Sequence, residues 1–481
     1  MSPDRRAAPV QSLFLALAFS FCLTIPSIAA AERGWKLDEL IGSDAISLRF
    51  EHRTRYEGLS DPFRAANAGK AYTDVIAMRT LVHGRVKLPA GFAIGAELQD
   101  SRAFRNGDTI LNSTTVNSAE LLRAYLEFKG DIDGGTLTAR GGRITMDVGS
   151  RRFVARNRYR NTINGFTGID LDWHGDADRD NLNVRAFFTL PVQREPNPQS
   201  PANRRNRLRD NDVVFDTESF DVLFWGLFVA RDLDDALGLE GVRGEVFLFG
   251  LHESDASDRP TRNRQLFTPG FRVFRKPAKA LVDFTVEAAL QAGQSRATGR
   301  SPRELDHFAG FVHGTLGYTF DARWSPRLAL QFDYASGDSS ARDGTNERFD
   351  TLFGARRFEW GPTGIYGPFA RANLITPGLR VQIKPCKEVT AFTSVRSYWL
   401  ASKTDLWTTS RVADLQGESG DHLGTQIELR VRWRIIPKTI LLEAGYAHLF
   451  AGEYIDTSSP SSNSNRQGDS DYVYTQAKFN F

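Results

Sequence analysis

The sequence predicts an all-β chain: one transmembrane antiparallel β-barrel of eighteen strands, with short turns at one end and long loops at the other. Three observations predict it. Eighteen segments alternate apolar and polar residues behind an N-terminal leader. The links between them run long, short, long, short to the end, as they do in a barrel with periplasmic turns and extracellular loops. No segment after the leader approaches the ~20 consecutive apolar residues of a spanning helix, so strands must do any crossing.

Residues 1–31 read as a cleaved secretory signal: Arg5 and Arg6 give the positive start, Leu13 to Ile25 the apolar run, and Ala29 and Ala31 the small-residue site before Glu32. The run is too short to anchor comfortably in a bilayer, and the Phe-Ser-Phe before Cys22 is unlike a lipoprotein signal. Cleavage would leave Cys386 alone, which excludes an intramolecular disulfide. Residues 32–481 then read as one barrel domain, without internal repeat and with one Ser/Asn-rich tract at 457–465. Composition does not separate a soluble protein from a barrel, since only every second strand residue meets lipid.

The strands follow in order. Strand one, about 45–56, sets Ile46, Leu48 and Phe50 against Arg49, Glu51, Arg53 and Arg55. Strand two, 74–88, sets Ile76, Met78 and Val82 against Arg79, His83, Arg85 and Lys87, and Pro89-Ala90-Gly91 turns it into strand three, 92–101. Strands four and five, 119–129 and 135–145, join through Gly130 to Gly134; six and seven, 166–173 and 181–190, through an Asp-rich turn. Eight to thirteen lie near 219–231, 241–252, 267–276, 279–292, 307–320 and 326–336. Fourteen to eighteen lie near 373–384, 389–401, 422–434, 439–450 and 471–481. Pro277, Pro326, Pro385 and Pro437 fall in short turns, where no ladder donor is lost.

Strand sixteen carries the pattern best: Leu423, Thr425, Ile427, Leu429, Val431 and Trp433 on one face, Gln426, Glu428, Arg430, Arg432 and Arg434 on the other. Eighteen such strands without helical partners are accounted for by lipid outside and water inside. The last strand alternates Val473, Thr475, Ala477, Phe479 and Phe481, like the C-terminal signal read by the barrel assembly machinery. The longest link, 337–372, is expected to fold inward and narrow the lumen, and the short turns leave no plug from the periplasmic side.

Enzyme chemistry is not legible. There is no nucleophile elbow or P-loop. His252-Glu253 lacks the second His of a zinc site, and Asp176, Asp178 and Asp180 lack the Gly and Glu that complete a calcium loop. No cofactor, metal or nucleic-acid motif is expected. Arginine stands out instead: of 61 basic residues only eleven are Lys. Genome composition explains such a bias as readily as selection for a rigid fork matched to carboxylate, sulfate or phosphate. The densest stretch, 140–160, holds Arg140, Arg143, Arg151, Arg152, Arg156, Arg158 and Arg160 against Asp147 alone. These groups repel one another unless anions or distant carboxylates answer them. They read either as a solvated loop paired with lipopolysaccharide phosphates and barrel acids, or as an anion-attracting throat. Arg204, Arg205, Arg207 and Arg209 add charge, diluted by Asp210 and Asp212. Inward acids (Glu51, Glu97, Glu127, Asp283, Glu287, Glu428 and Glu443) are expected to hold lumen arginines upright, which excludes a uniformly positive tube.

Three stretches resemble the alginate export family. The first is Gly142-Arg143-Ile144, Gly149-Ser150-Arg151-Arg152-Phe153, Arg160-Asn161 and Phe166-Thr167-Gly168. The second is Ala335-Ser336-Gly337-Asp338, Phe349-Asp350-Thr351-Leu352-Phe353 and Asn373-Leu374; the third is Glu443-Ala444-Gly445-Tyr446-Ala447 with Gly452-Glu453-Tyr454. Ile144 stands where the family has Gln, and Thr167 where it has Asp. The resemblance implies an eighteen-stranded barrel in the bacterial outer membrane that exports an anionic polysaccharide through an Arg-rich pore. On motif and density Arg143, Arg152, Arg156, Arg158 and Arg160 are the expected substrate-binding arginines; strand alternation adds Arg430 and Arg432. Implied partners are the polymer or a small anion, outer-membrane lipid and lipopolysaccharide, and periplasmic export proteins. Two other readings stay open: an uptake porin for small anions, and a plugged barrel with an enzymatic or binding role.

Overall fold

The computed structural model describes residues 41–481 and residue 37, apart from 65–70, 106–110, 177, 179, 198–204, 235–237, 256–260, 341 and 459–467. The expected signal segment lies outside the described residues, as does Arg204. The strands are β1 (Ile46–Ser60), β2 (Tyr72–Lys87), β3 (Phe92–Phe104), β4 (Asn117–Asp131), β5 (Gly135–Ile144), β6 (Phe166–Gly175), β7 (Asn183–Pro191), β8 (Val222–Asp232) and β9 (Val242–Glu253). They continue as β10 (Gln265–Arg275), β11 (Val282–Arg296), β12 (Glu304–Thr319), β13 (Arg327–Ala335), β14 (Leu374–Ile383), β15 (Val389–Trp399), β16 (His422–Ile436), β17 (Ile440–Ala451) and β18 (Ser470–Asn480). Each pairs antiparallel with its sequence neighbours, and β18 returns to β1 from Glu51↔Asn480 to Ser60↔Asp471. Closure ends on the last residue: Phe50 and Phe481 exchange backbone hydrogen bonds of 3.0 and 2.9 Å. The eighteen expected strands are all present. A two-residue strand, Thr345–Asn346, adds to them within the longest link and pairs parallel with β12.

The outer wall explains why this sheet needs a membrane. Ile94, Leu98, Ile169, Phe188, Val246 and Leu290 each leave half or more of their surface bare, and similar side chains recur all round the barrel. Such a continuous apolar belt is tenable against lipid and not against water. No helix among the described residues is long and apolar enough to cross a membrane.

The inner wall departs from a water-filled tube. Phe187, Phe224, Phe247, Phe249 and Phe311 point inward from β7, β8, β9 and β12 and are buried beneath Phe153, Val154, Phe349 and Phe353 of two inward-folded links, 145–165 and 336–373. A second buried cluster, with Tyr366, Phe369, Tyr398, Trp407, Tyr454 and Tyr472, fills the loop-side end near β1, β2 and β15–β18. Rings here stack closely: Phe369 on Tyr398, and Tyr366 on Tyr472 at 5.0 Å between centroids. The lumen of the loop-side half is therefore a packed core, and the 336–373 link folds inward with the 145–165 link beneath it.

One side chain sits on the other face from its sequence expectation. Leu423, read as lipid-facing with Thr425 and Ile427, is fully buried in the inner cluster. The β15–β16 register shifts between Tyr398↔Gly424 and Trp399↔His422, so Leu423 is the extra residue of a bulge and turns inward. Gly424 makes this possible at φ 137°, where a Cβ would stand 2.1 Å from the Phe450 carbonyl oxygen. Gly424→Ala is expected to strain this corner by about 1–3 kcal/mol, lowering the temperature at which the folded band converts to the unfolded band on unboiled gels. An unchanged conversion temperature would refute the bulge's role.

Candidate functional site

The alternation of β-strands brings acids and arginines to the same inner face, and each of the seven inward acids meets an arginine. Glu51 pairs with Arg79 (2.6 Å), Glu97 with Arg123 (2.7 Å) and Arg156 (2.8 Å), and Glu127 with Arg85 (2.7 Å) and Arg140 (2.8 Å). Asp283 accepts from Arg327 at 2.8 Å, Glu287 from Arg152 at 2.5 Å and Glu428 from Arg357 at 2.6 Å; Glu443 pairs with Arg432.

Other wall arginines grip loop backbone. Arg53 donates to the carbonyls of Arg158 (3.1 Å), Tyr159 (2.9 Å) and Arg160 (3.0 Å) and to Asn161 Oδ1 (3.0 Å). Arg55 adds a bond to the Tyr159 carbonyl (2.8 Å), and Arg79 reaches those of Arg158 (3.0 Å) and Arg160 (2.9 Å). Asn161 completes the joint by donating to the Met78, Arg102 and Thr115 carbonyls. Across the lumen Arg380 holds the Phe358 carbonyl at 3.0 Å, and Arg371, within the longest link itself, holds that of Arg152 at 3.0 Å. The two inward links are also bonded to each other: Phe353 N to Phe153 O (2.9 Å) and Ala355 N to Arg151 O (2.9 Å). Gly354 is required there, because a Cβ would fall 1.7 Å from the Arg152 carbonyl oxygen.

At the centre lies a fully buried charge cluster. His313 Nδ1 stands 2.6 Å from Asp333 and 3.7 Å from Glu359. Arg396 donates to Asp333 at 2.5 Å, Trp360 Nε1 donates to it at 3.1 Å, and Arg152 and Arg371 both pair with Glu359. The three acid and imidazole groups are close enough for a metal ion, with ligand atoms within 4.8 Å of one another. With Glu287, which also pairs with Arg152, three guanidinium charges balance the three carboxylates, so no negative charge is left to attract one. The cluster fastens both inward links to β12, β13 and β15.

On the side of the short turns lies an open vestibule of about 820 Å³. Its walls are β1–β5 and β7, the turn at Lys438 and the chain end at Asn480 and Phe481; the 145–163 segment closes its far end. Eight cations line it (Arg49, Arg79, Arg123, Arg140, Arg156, Arg158, Arg185 and Lys438) against three carboxylates, Glu51, Glu97 and Asp147. Glu127 and Asp170 lie behind and partner Arg140 and Arg185. Arg49 makes no ion pair among the described residues, and the Arg158 side chain is 68% exposed beside Asp147. The wall thus bears an excess of positive charge that faces water.

The seven arginines expected from sequence do not form one group. Arg156 and Arg158 line the vestibule. Arg143 is tied to Glu120 of β4 (2.5 Å) and Glu218 of the 192–221 link (2.7 Å), and Arg152 is shut inside the buried cluster. Arg160 gives its backbone carbonyl to Arg53 and Arg79, Arg430 lies over the Phe392 ring at 4.4 Å, and Arg432 pairs with Glu443. Sequence reasoning missed Arg123 and Arg185 as vestibule residues, although both lie two residues from a same-face neighbour on an alternating strand. Of the 203–212 group, Arg207 and Arg209 belong to a short helix, Arg205–Arg209, at the loop-side end.

A closed eighteen-stranded barrel with an apolar belt and a charged mouth defines an outer-membrane channel. Solved outer-membrane barrels share the fold: OccAB1 of Acinetobacter baumannii (TM-score 0.56, 13% identity, 93% of this chain and 98% of that one) and OprD of Pseudomonas aeruginosa (TM-score 0.53, 11% identity, 94% and 95%). No curated protein sequence matches the chain. The alginate export family model matches residues 44–469, nearly the whole length, and the chain belongs to the alginate export family. It is a protein of the bacterial outer membrane, and family and fold point to a channel rather than an enzyme.

Two predictions follow from the buried charges. Glu359→Gln strips Arg152 and Arg371 of their shared carboxylate, a change of about 3–5 kcal/mol when a buried pair is broken; protease cleavage within 353–371 is expected to appear where the native chain is protected. Continued protection would refute the fastening role. In the 192–221 link, burial and the nearby Glu120 charge push the Asp216 carboxyl up to about 7. The folded state therefore holds a proton that the unfolded state has released, and stability falls as pH rises from about 4 to 7. Asp216→Asn removes that slope: the variant should unfold at a higher temperature than the native chain at pH 8, and the gap should close toward pH 4.

Proposed function

We propose that this channel passes an anionic polysaccharide outward, with the vestibule as its point of entry from the periplasm. The observation that carries this reading is the lining of eight cations against three carboxylates in a cavity of about 820 Å³ on the short-turn side. Low-dielectric walls focus such an excess and raise the local concentration of a polyanion. Carbohydrate carboxylates entering there meet Arg49 and Arg158 first, then the Glu97 pairs of Arg123 and Arg156. Movement needs many exchangeable contacts of modest strength rather than one tight site. Paired arginines provide this, because a solute carboxylate trades places with a wall carboxylate.

Family membership supports export of a polymer; the small-anion porin remains the second reading, since its vestibule would carry the same charge. Passage through either also requires the 145–165 and 336–373 links to move, since they close the far end of the vestibule. Barrel assembly through Phe481 and periplasmic partners at the short turns belong to the same proposal.

The test is single-channel recording in a planar bilayer with soluble polyuronate added on the turn side. Anion-selective current blocked by micromolar polyuronate is expected, and Arg49→Gln with Arg158→Gln should weaken the block about a hundredfold, each charge-assisted contact being worth about 1.4 kcal/mol. Current without selectivity or block would sink the export reading.

A further inference from the structure

The apolar belt is broken on the outer face of β1, β2 and β3. The strand registers set outward side chains in rows across these three strands. One row is His52, Thr80 and Asp100, and the next above it is Thr54, Met78 and Arg102. The row below them is apolar (Phe50, Val82, Leu98), and so is the row above, apart from one phenol (Tyr56, Ile76, Phe104). The polar rows stand six and eight residues above the lowest outward row, Ile46, Val86 and Ile94. At ~3.3 Å per residue and a strand tilt of ~40°, that is roughly 15–20 Å up a band ~25 Å tall. Six residues above their own lowest outward positions, β11, β12 and β16 carry Ala288, Val312 and Ile427 instead.

The polar groups on this face are bonded to one another, but not completely. His52 Nδ1 meets Thr80 Oγ1 at 2.9 Å, and its Nε2 meets Thr54 Oγ1 at 3.0 Å. Arg102 Nε donates to both Asp100 oxygens, at 3.0 and 2.9 Å, and Ala119 N donates to Asp100 Oδ1 at 3.1 Å. The two terminal nitrogens of Arg102 donate to nothing among the described residues, and the Arg102 and Asp100 side chains are 38% and 40% exposed. Hydrocarbon offers no acceptor for those donors, and a charge on the lipid face destabilises a barrel at this depth. A lone arginine here would relieve the cost by reaching up to the headgroups. Arg102 is instead held at its Nε by Asp100, two residues nearer the belt's centre. The pair is neutral, so it does not select the phosphates of lipopolysaccharide. What answers idle donors beside a carboxylate is a protein surface carrying both signs, and this face is itself such a surface. Two copies inserted in the same sense are related by a two-fold axis along the membrane normal, which sets the same patch against itself at equal depth. Asp100 and Arg102 lie about 7 Å apart along the strand, a distance that an arginine side chain spans. In the row above the lowest, a Cβ at Gly84 would meet nothing within 4 Å, and its neighbour is Ala96, so the wall there is low enough for a second wall to approach.

We propose that the outward face of β1–β3 is the contact between two copies of this chain in the membrane, with the Arg102 fork of each copy on Asp100 of the other. His52, Thr54 and Thr80 fill the centre of the contact beside those pairs. The dimer does not depend on what the vestibule admits, and each copy keeps its own lumen.

The test pairs sedimentation of the full chain in mild detergent with cross-linking in isolated outer membranes. Sedimentation is expected to give twice the chain mass, and Arg102→Gln should raise the dimer dissociation constant about a hundredfold, two symmetric charge-assisted contacts at about tenfold each. For cross-linking, Thr80→Cys is placed in a Cys386→Ser background and treated with a short bifunctional thiol reagent. Leu290→Cys, on β11 at the opposite side of the barrel, serves as the control. A dimer band at position 80 and none at 290 is expected. A band at 80 that Arg102→Gln abolishes supports the contact even where detergent separates the copies. A monomer in detergent with no band at 80, equal bands at 80 and 290, or a dimer that Arg102→Gln leaves unchanged overturns the proposal. So does a monomer that carries lipopolysaccharide and loses it in Arg102→Gln, which would assign the patch to lipid.

Discussion

The rest of this structure depends on one interaction, the hydrogen bond from a barrel-wall guanidinium to the backbone carbonyl of an inward loop. A loop inside a barrel must satisfy its carbonyls without a neighbouring strand. Arg53, Arg55 and Arg79 do this for residues 158–160, and Arg380 for Phe358. Lysine would serve poorly: its ammonium is a compact, strongly hydrated point charge, whereas the guanidinium spans several carbonyls in one plane. The division of labour is visible in the chain. Lys87, Lys129, Lys276, Lys384 and Lys438 sit exposed at the short turns, while arginine fills the interior. Each carbonyl of 158–160 has two arginine donors, so these clamps back one another up, whereas loss of Arg380 leaves the Phe358 carbonyl unpaired, at about 1–3 kcal/mol.

The barrel was legible because its signals are local. Alternation of period two, with Pro277, Pro385 and Pro437 punctuating the turns, marks each strand to within a few residues of its observed ends. The bulge at Gly424 escaped because one inserted residue flips a side chain without breaking the apolar run; the glycine itself was the available clue. The function of individual arginines was less legible. Sequence alternation puts Arg53 and Arg49 on the same face, yet Arg53 is shut beneath a loop 105 residues away and Arg49 faces the vestibule. The residues that set this difference are distant in the chain, so no local pattern reports it. The same holds for Arg143 and Arg152, which carry the family resemblance and serve in buried pairs.

This placement gives the family stretches a physical meaning. Asn161 gathers three carbonyls from β2, β3 and the link before β4. Asn373 binds Ser402 through both ends of its amide, and Asp350 accepts from Arg264 at 2.9 Å. Arg152 joins Glu287 of the wall to Glu359 of the longest link. These residues dock loops onto the wall. What the motif encodes in this chain is the closed inner architecture, and the surfaces that meet solute lie on either side of it.

That arrangement sets the energetic problem of passage. The lumen has a wet, cationic lower end and a packed upper end, and a charged polymer entering the packed part unaided would lose its hydration. Moving the two links aside breaks their mutual backbone bonds and exposes Phe153, Phe349 and Phe353, while the Glu359 cluster must release or rotate as a unit. The covalent frame permits this, because both links are long and anchored only at their strand ends and by these contacts. A polyanion that pairs with the released arginines as their loop partners withdraws would replace each lost bond with another of the same kind. Under the export proposal, the arginines that hold the loops shut through carbonyls would also be those that lower the cost of opening them.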